Sequence, residues 1–263
     1  MSNIKTSGFS ENTVEGRIFG GNDQLPKTLS KKIENRIKYN SPLLRLDHNS
    51  DGVIATISEN GKPIKIKAAK CVLAIPTTIL KNIEIYPKLS NDKIKCINEQ
   101  AYGNAMKIAI QFKKRFWDNG DSIGQRVFTD TVLRRIYHFS VDQPGPRGIL
   151  LSFTSGKDAM KLGKLGDEER DKIAKNTCLK IWKDSSKYWE RSVSKYWNDD
   201  KWIKASYTFS AVGQKNFREI LSRNEDPLYF AGEHTAFQRA SMNGAIESGL
   251  RTTKEIVKAM SFT

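Results

Sequence analysis

The chain has 263 residues, 38% of them hydrophobic, and 44 Lys plus Arg against 29 Asp plus Glu give a net charge of +15. No apolar run approaches the roughly 20 residues that a bilayer span needs, and the polar start MSNIKTSGFSENTVEG lacks the apolar centre of a secretory signal. The basic residues are dispersed, with no zinc-finger spacing or RNA-binding aromatic motif, so a solvated basic surface fits the charge better than a nucleic-acid interface.

Taken in chain order, residues 1–17 read as a flexible lead-in, and the turn-rich Gly20-Gly21-Asn22-Asp23 precedes a short helix over Pro26 to Asn35. Strands are predicted at Ile37–Leu46, Val53–Ser58, Ile64–Ala68 and Cys71–Ile75. The turn Glu59-Asn60-Gly61-Lys62 between β-branched runs marks a hairpin, and Asp51-Gly52 marks another. This is an antiparallel meander feeding a buried strand that Pro76 ends. A polar helix follows over Asn91–Gln100, then a long strand Ala105–Phe112. Further strands are expected at Thr131–Ser140 and Ile149–Thr154, split by Pro144-Gly145-Pro146-Arg147-Gly148. Asp167–Tyr188 reads as one amphipathic helix with Ile173, Cys178, Leu179 and Trp182 on its apolar face. Strands at Ser192–Tyr196 and Ala205–Phe209, a helix at Asn216–Arg223, a strand from Tyr229 and a terminal helix from Met242 close the chain. Strands and helices mix without βαβ alternation, which predicts an α+β (mixed α/β) fold. Three widely separated cysteines, Cys71, Cys96 and Cys178, have no metal-type spacing and fit a reducing, cytoplasmic setting.

The densest signal is YFAGEHTAFQRASMNGAIESGLR, residues 229–251. A strand ends in Ala231-Gly232-Glu233, and the helix after it carries Gly244, Ala245, Ser248 and Gly249 at helical spacing. Such a helix allows close approach of another body, and its first turn offers N–H groups and a positive dipole end. The plain alternative is a helix packed tightly on a sheet.

The whole string resembles the C-terminal FAD-binding signature of the flavin amine oxidase family, which includes monoamine, L-amino-acid and polyamine oxidases. Further segments resemble that family in the same order: GGNDQLP, Tyr39–Leu46, Ala74-Ile75-Pro76, Tyr102–Lys107 with Phe116-Trp117, and Trp202–Tyr207. Residues 18–258 are covered. The resemblance implies a cofactor-side portion from residues 18–76 and 221–263, with a β-meander and terminal helix. It also implies a substrate-binding domain over 77–220, built on a sheet faced by helices. One expected part is missing: no two of the 18 glycines are separated by a single residue. The G-x-G-x-x-G turn that cradles a dinucleotide's pyrophosphate is therefore absent from this sequence. A partner chain supplying that N-terminal half, a fragment, or a catalytically silent interaction module are the alternatives.

The family reaction transfers a hydride equivalent from an amine-bearing carbon to the flavin, releasing an imine and, through oxygen, hydrogen peroxide. The resemblance assigns Lys107 as the active-site lysine that holds a water near the flavin; on pattern alone Lys107 could equally sit on the wet face of its strand. It assigns FAD contacts to Leu43, Gly232, Glu233, Ser241, Met242 and Ala245. Tyr207 is implied as one wall of the cage around the substrate amine, which is an amine or an amino acid. Phe237 is the candidate for the second wall, since Ala240-Ser241 stand where relatives carry an aromatic residue. Ser206 occupies the place of the cysteine that binds flavin covalently in monoamine oxidases, so FAD is expected to be noncovalent. No metal site is expected.

Overall fold

The structure, a computed structural model, describes residues 18–118, 126–141 and 143–261; the lead-in expected over residues 1–17 lies outside them. The chain divides into two compact units, Met1–Asn40 and Ser41–Thr263. In the first, α1 (Gln24–Lys31) is followed by a 3-10 turn at Glu34–Arg36. The helix starts two residues earlier than predicted. Pro26 is tolerated inside its first turn because the N–H it lacks would have had no intrahelical partner there.

The second unit opens with β1 (Leu43–Asn49), β2 (Gly52–Glu59) and β3 (Lys62–Ala68), an antiparallel meander. Asn60 and Gly61 both take positive φ, 51° and 78°, as the tight hairpin turn predicted there requires. The strand expected from Ile37 begins only at Leu43, because Asn40 adopts φ 53° and Pro42 lacks a ladder donor. β4 (Cys71–Leu73), α2 (Thr77–Leu80), β5 (Glu84–Tyr86) and α3 (Asn91–Glu99) follow. β5 pairs parallel to β1, completing the order β3-β2-β1-β5.

Next come β6 (Ala105–Phe112), β7 (Arg126–Phe128), β8 (Arg135–His138) and β9 (Gly148–Ser155). They are followed by α4 (Gly156–Gly163), α5 (Asp167–Ile181), α6 (Ser185–Tyr188) and β10 (Trp189–Tyr196). The strand expected at Thr131–Ser140 shrinks to β8, because 131–134 is a turn with Arg134 at φ 55°. The single helix expected over Asp167–Tyr188 breaks at Trp182, whose backbone is extended. Its buried face is Ala174, Thr177 and Cys178, while Leu179 points to solvent. Small residues win that face because the helix lies close on β10.

The chain closes with α7 (Phe217–Ser222), β11 (Leu228–Phe230) and α8 (Met242–Met260). β4 is shorter than expected and less buried: Val72 is exposed, and the strand pairs with β11 in a parallel two-stranded sheet apart from the meander. The strand expected at Ala205–Phe209 is an extended segment held by one bridge, Tyr102 to Thr208.

Two apolar clusters hold this unit. The first lies between α4 and α5 and one face of the sheet β10-β6-β9-β8-β7. Strict alternation along β6 sends Met106, Ile108, Ile110 and Phe112 into it, all fully buried. Each such side chain contributes about 1.5–3 kcal/mol by leaving water. The same alternation sends Lys107, Ala109 and Gln111 to the opposite face. The second cluster joins the meander to β4, β11 and α7 through Leu46, Val53, Leu73, Phe217, Leu228 and Phe230. It also draws in Leu80, Leu89, Cys96 and Ile97 from the span after Pro76.

Candidate functional site

Alternation fixes the first part of the site. Lys107 leaves β6 on the face away from the helices and lines a cleft of about 330 Å³ with Ala105, Phe153, Trp197, Ile203, Ser206 and Tyr207. Its Nζ stands 5.7 Å from the centroid of the Phe153 ring. Among the described residues no carboxylate lies within ion-pair distance of it.

The 203–209 segment forms the opposite wall, and its position is determined backbone to backbone. Gly103 N donates to Tyr207 O at 2.9 Å, Ser206 N donates to Gly103 O at 2.9 Å, and Phe209 N donates to Ala101 O at 3.1 Å. A Cβ at Gly103 would meet Ser206 Oγ at 2.8 Å, so a side chain there would have to turn the Ser206 hydroxyl away. Thr78 Oγ1 adds a hydrogen bond to Ile203 O at 2.5 Å. Ser206 Oγ is buried without a hydrogen-bond partner, an arrangement that costs about 1–3 kcal/mol unless something supplies the bond. Tyr207, 41% exposed, presents its ring at the cleft.

Glu233 joins this wall to the last helix. Its Oε1 accepts from Thr208 N at 3.0 Å, and its Oε2 accepts from Thr208 Oγ1 at 2.8 Å and Ala240 N at 2.7 Å. The carboxylate therefore ties the residue beside Tyr207 to the residue before the α8 N-cap. Ser241 is that cap: its Oγ accepts from Gly244 N at 3.0 Å. Gly232, at φ 122°, donates its N–H to Ser248 Oγ at 2.8 Å, and a Cβ there would meet the His234 ring at 2.5 Å. Burial pushes the His234 imidazole down to about 4, with Glu233 opposing the shift.

The small residues of α8 divide between two faces. Gly244, Ser248 and Thr252 are buried, and a Cβ on Gly244 would fall 1.9 Å from Gln238 O, inside backbone. Thr252 Oγ1 and Arg251 both donate to Phe230 O, docking the helix on β11. Ala245 and Gly249 belong to the other side: Ala245 is exposed and a Cβ on Gly249 would meet nothing within 4 Å. Met242, Ile246 and Leu250 are exposed there as well.

Of the residues singled out from sequence, the cleft brings together Lys107, Ser206 and Tyr207. Gly232, Glu233, Ser241, Met242 and Ala245 form a second group, linked to the first through Glu233. Phe237 is brought to neither. It is 79% exposed and stands 5.6 Å from the Arg218 guanidinium, so it does not wall the cleft. Leu43 lies at the start of β1, paired with Ile57 and packed on the second core. Phe153, Trp197 and Ile203 were missed as cleft walls. Alternation along β9 could have found Phe153, opposite Lys107 in register; nothing local marks Trp197 or Ile203. Thr208, the partner of Glu233, was missed because its role is purely tertiary.

These features suit a flat, partly apolar group with hydrogen-bonding edges. The orphaned Ser206 hydroxyl, the open small-residue face of α8 and its exposed Met242 and Ile246 are the observations that favour it. Nothing in the described residues supplies a phosphate cradle, in keeping with the missing G-x-G.

A family model described as flavin containing amine oxidoreductase matches residues 3–257. Among curated relatives, a flavin-dependent L-tryptophan oxidase of Lentzea aerocolonigenes is 27% identical over 248 residues, covering 91% of this chain and 52% of its own. An L-amino-acid oxidase of Siganus canaliculatus is 28% identical over 262 residues, covering 95% and 49%. The fold is similar to that of cyclohexylamine oxidase from Brevibacterium oxydans, at TM-score 0.84 and 17% identity over 92% of this chain and 54% of that one. It is also similar to putrescine oxidase bound to putrescine, at TM-score 0.79 and 20% identity over 91% and 53%. The chain spans about half the length of the relatives it matches.

Proposed function

The chain belongs to the flavin-containing amine oxidoreductases, and from that premise we propose that it forms the substrate side and C-terminal cofactor contact of an FAD-dependent oxidase acting on an amine or L-amino acid. The observation that carries this reading is the meeting of Lys107, Ser206 and Tyr207 in one cleft whose wall Glu233 ties to α8. The names of the curated relatives, an L-tryptophan oxidase and an L-amino-acid oxidase, support the amino-acid class, and the family description supports amines more broadly. Residues 77–220 would then supply the substrate side, and 18–76 with 221–263 the cofactor side.

FAD, when bound, supplies the two-electron acceptor for the hydride on the amine-bearing carbon, with oxygen as final acceptor and an imine as product. The residues of this chain position and tune. Tyr207 offers an aromatic face to the substrate nitrogen. Lys107, which has no carboxylate within ion-pair distance among the described residues, would hold a water by hydrogen bonding. Met242 and Ala245, in the first turn of α8, would hold the ring system, and the start of that helix would favour negative charge on it. Gly232 lets the backbone turn sharply beside the cofactor, and Leu43 offers backbone near its adenosine end. Glu233 positions the loop, since its two oxygens already accept three hydrogen bonds within the chain. Serine at 206 cannot form a thioether, so FAD is held noncovalently. The pyrophosphate-binding half, with its G-x-G-x-x-G turn, comes from sequence outside these 263 residues, on a partner chain or a longer polypeptide.

In the flavin-loaded assembly, Lys107→Met should slow flavin reduction or reoxidation at least ten-fold by stopped-flow absorbance, with an unchanged melting temperature. Rates equal to those of the unmodified protein would remove Lys107 from the chemistry.

A further inference from the structure

The open face of the five-stranded sheet continues the row of Lys107 and Phe153 outward to residues that the reading above does not use. Lys195 pairs with Lys107, Lys107 pairs with Phe153, and Phe128 pairs with Arg135 on the outer two strands. Arg135 reaches back over the same ring, its Cζ 4.7 Å from the Phe153 centroid, while Lys107 Nζ approaches that ring at 5.7 Å. Three cations and two aromatic rings thus cross the sheet on the side away from the helical core.

Their charges are not equally compensated. Lys195 is paired with Asp200 at 2.8 Å. Arg134, the sequence neighbour, is bound to Asp158 beside the core helix α4. Among the described residues, neither Arg135 nor Lys107 has a carboxylate within ion-pair distance. Two uncompensated cations therefore flank one aromatic ring at the edge of a cleft, and they repel each other until an anion arrives. A guanidinium laid on an aromatic face keeps its N–H fork directed outward, the arrangement that grips a carboxylate through two parallel bonds.

Position decides which carboxylate. Arg135 lies two strands from Lys107, roughly 10 Å at the backbone by normal strand spacing. A carboxylate on the reacting carbon itself would sit at the Lys107 and Tyr207 end. One held by Arg135 must be several bonds away. We propose that Arg135, seated over Phe153, is a specificity-determining residue that selects amine substrates carrying a second, distal carboxylate, such as acidic amino acids. The substrate then runs out of the cleft: the aromatic wall of Tyr207 receives the nitrogen, and Arg135, on the sheet face beyond the lining residue Phe153, receives the acid. This rests on the oxidase reading above, but the anion site can be tested without it.

In the flavin-loaded assembly, kcat/KM would be compared for L-glutamate and L-glutamine, which differ in charge but hardly in shape. The ratio should favour glutamate and fall at least ten-fold in Arg135→Gln, chiefly through KM. Arg135→Lys should restore part of it. Arg126→Gln, on the same face one row away, should leave the ratio unchanged. A ratio that Arg135→Gln does not move would overturn the proposal. A second measurement needs no turnover. The Arg135 side-chain N–H signal of the 263-residue chain would be followed by NMR during titration with glutarate and, as a neutral control, glutaramide. A saturable shift with glutarate alone supports the site even where neither amino acid is oxidised, an outcome that would count against the oxidase reading instead. Equal response to the two compounds refutes the site.

Discussion

Among the described residues, Glu233 accepts hydrogen bonds from two backbone N–H groups and one hydroxyl. Glu233→Gln must turn an NH2 toward at least one of those donors, so the chain should lose about 1–3 kcal/mol in urea denaturation. A loss below the error of the measurement would mean that the 233–240 loop is held by something else. His234 makes a second residue-scale prediction. Its folded value of about 4 lies below the ordinary 6.5, so the unfolded chain binds the extra proton first as pH falls. Stability is complete above about pH 6.5 and declines by on the order of 3 kcal/mol as pH falls through about 4. His234→Gln should flatten that decline; an unaltered profile would assign it to other groups. At this scale the sequence was most legible where alternation applied. Lys107 reads off the strand Ala105–Phe112, whereas the bonds of Glu233 to Thr208 and Ala240 join positions with no common pattern.

Among the elements, α8 separates two kinds of glycine. Gly244 lies against Gln238 O with no room for a Cβ, while Gly249 faces open space. Gly244→Ala should displace the helix start and cost about 1–3 kcal/mol. Gly249→Ala should stabilise the chain by up to about 1 kcal/mol through helix propensity. If α8 lies along the cofactor as proposed, the same Gly249→Ala would weaken flavin retention in the assembly. Calorimetry of the two variants checks the first pair of outcomes, and equal melting temperatures would contradict the division of faces. The hairpin at Asn60-Gly61, the extent of β6 and the start of α8 were legible because turn chemistry and periodicity act locally. β5 and the parallel pairing of β4 with β11 were not, although both of those strands were expected, since the partner of a three-residue strand is fixed by tertiary packing. The strand expected at Ala205–Phe209 failed for a related reason: its apolar residues line a cleft instead of joining a ladder.

Over the whole molecule, the second unit is well packed on one side of its large sheet, while the other side carries exposed cations and aromatic rings and α8 leaves large apolar side chains exposed. Trp202, Tyr207 and Phe209 before α7, and Met242, Ile246 and Leu250 on α8, are large apolar side chains left exposed. The chain spans about half the length of the relatives it matches; on the function proposed above, a nucleotide-binding half carrying the G-x-G turn that this sequence lacks would cover these side chains. The most direct measurement is the flavin content of this chain produced together with a dinucleotide-binding half carrying G-x-G-x-x-G. The account predicts one FAD per assembly, released intact on denaturation, and a lower content in Gly249→Ala. A folded, stable assembly that copurifies without flavin, or whose flavin stays on the denatured chain, would contradict it.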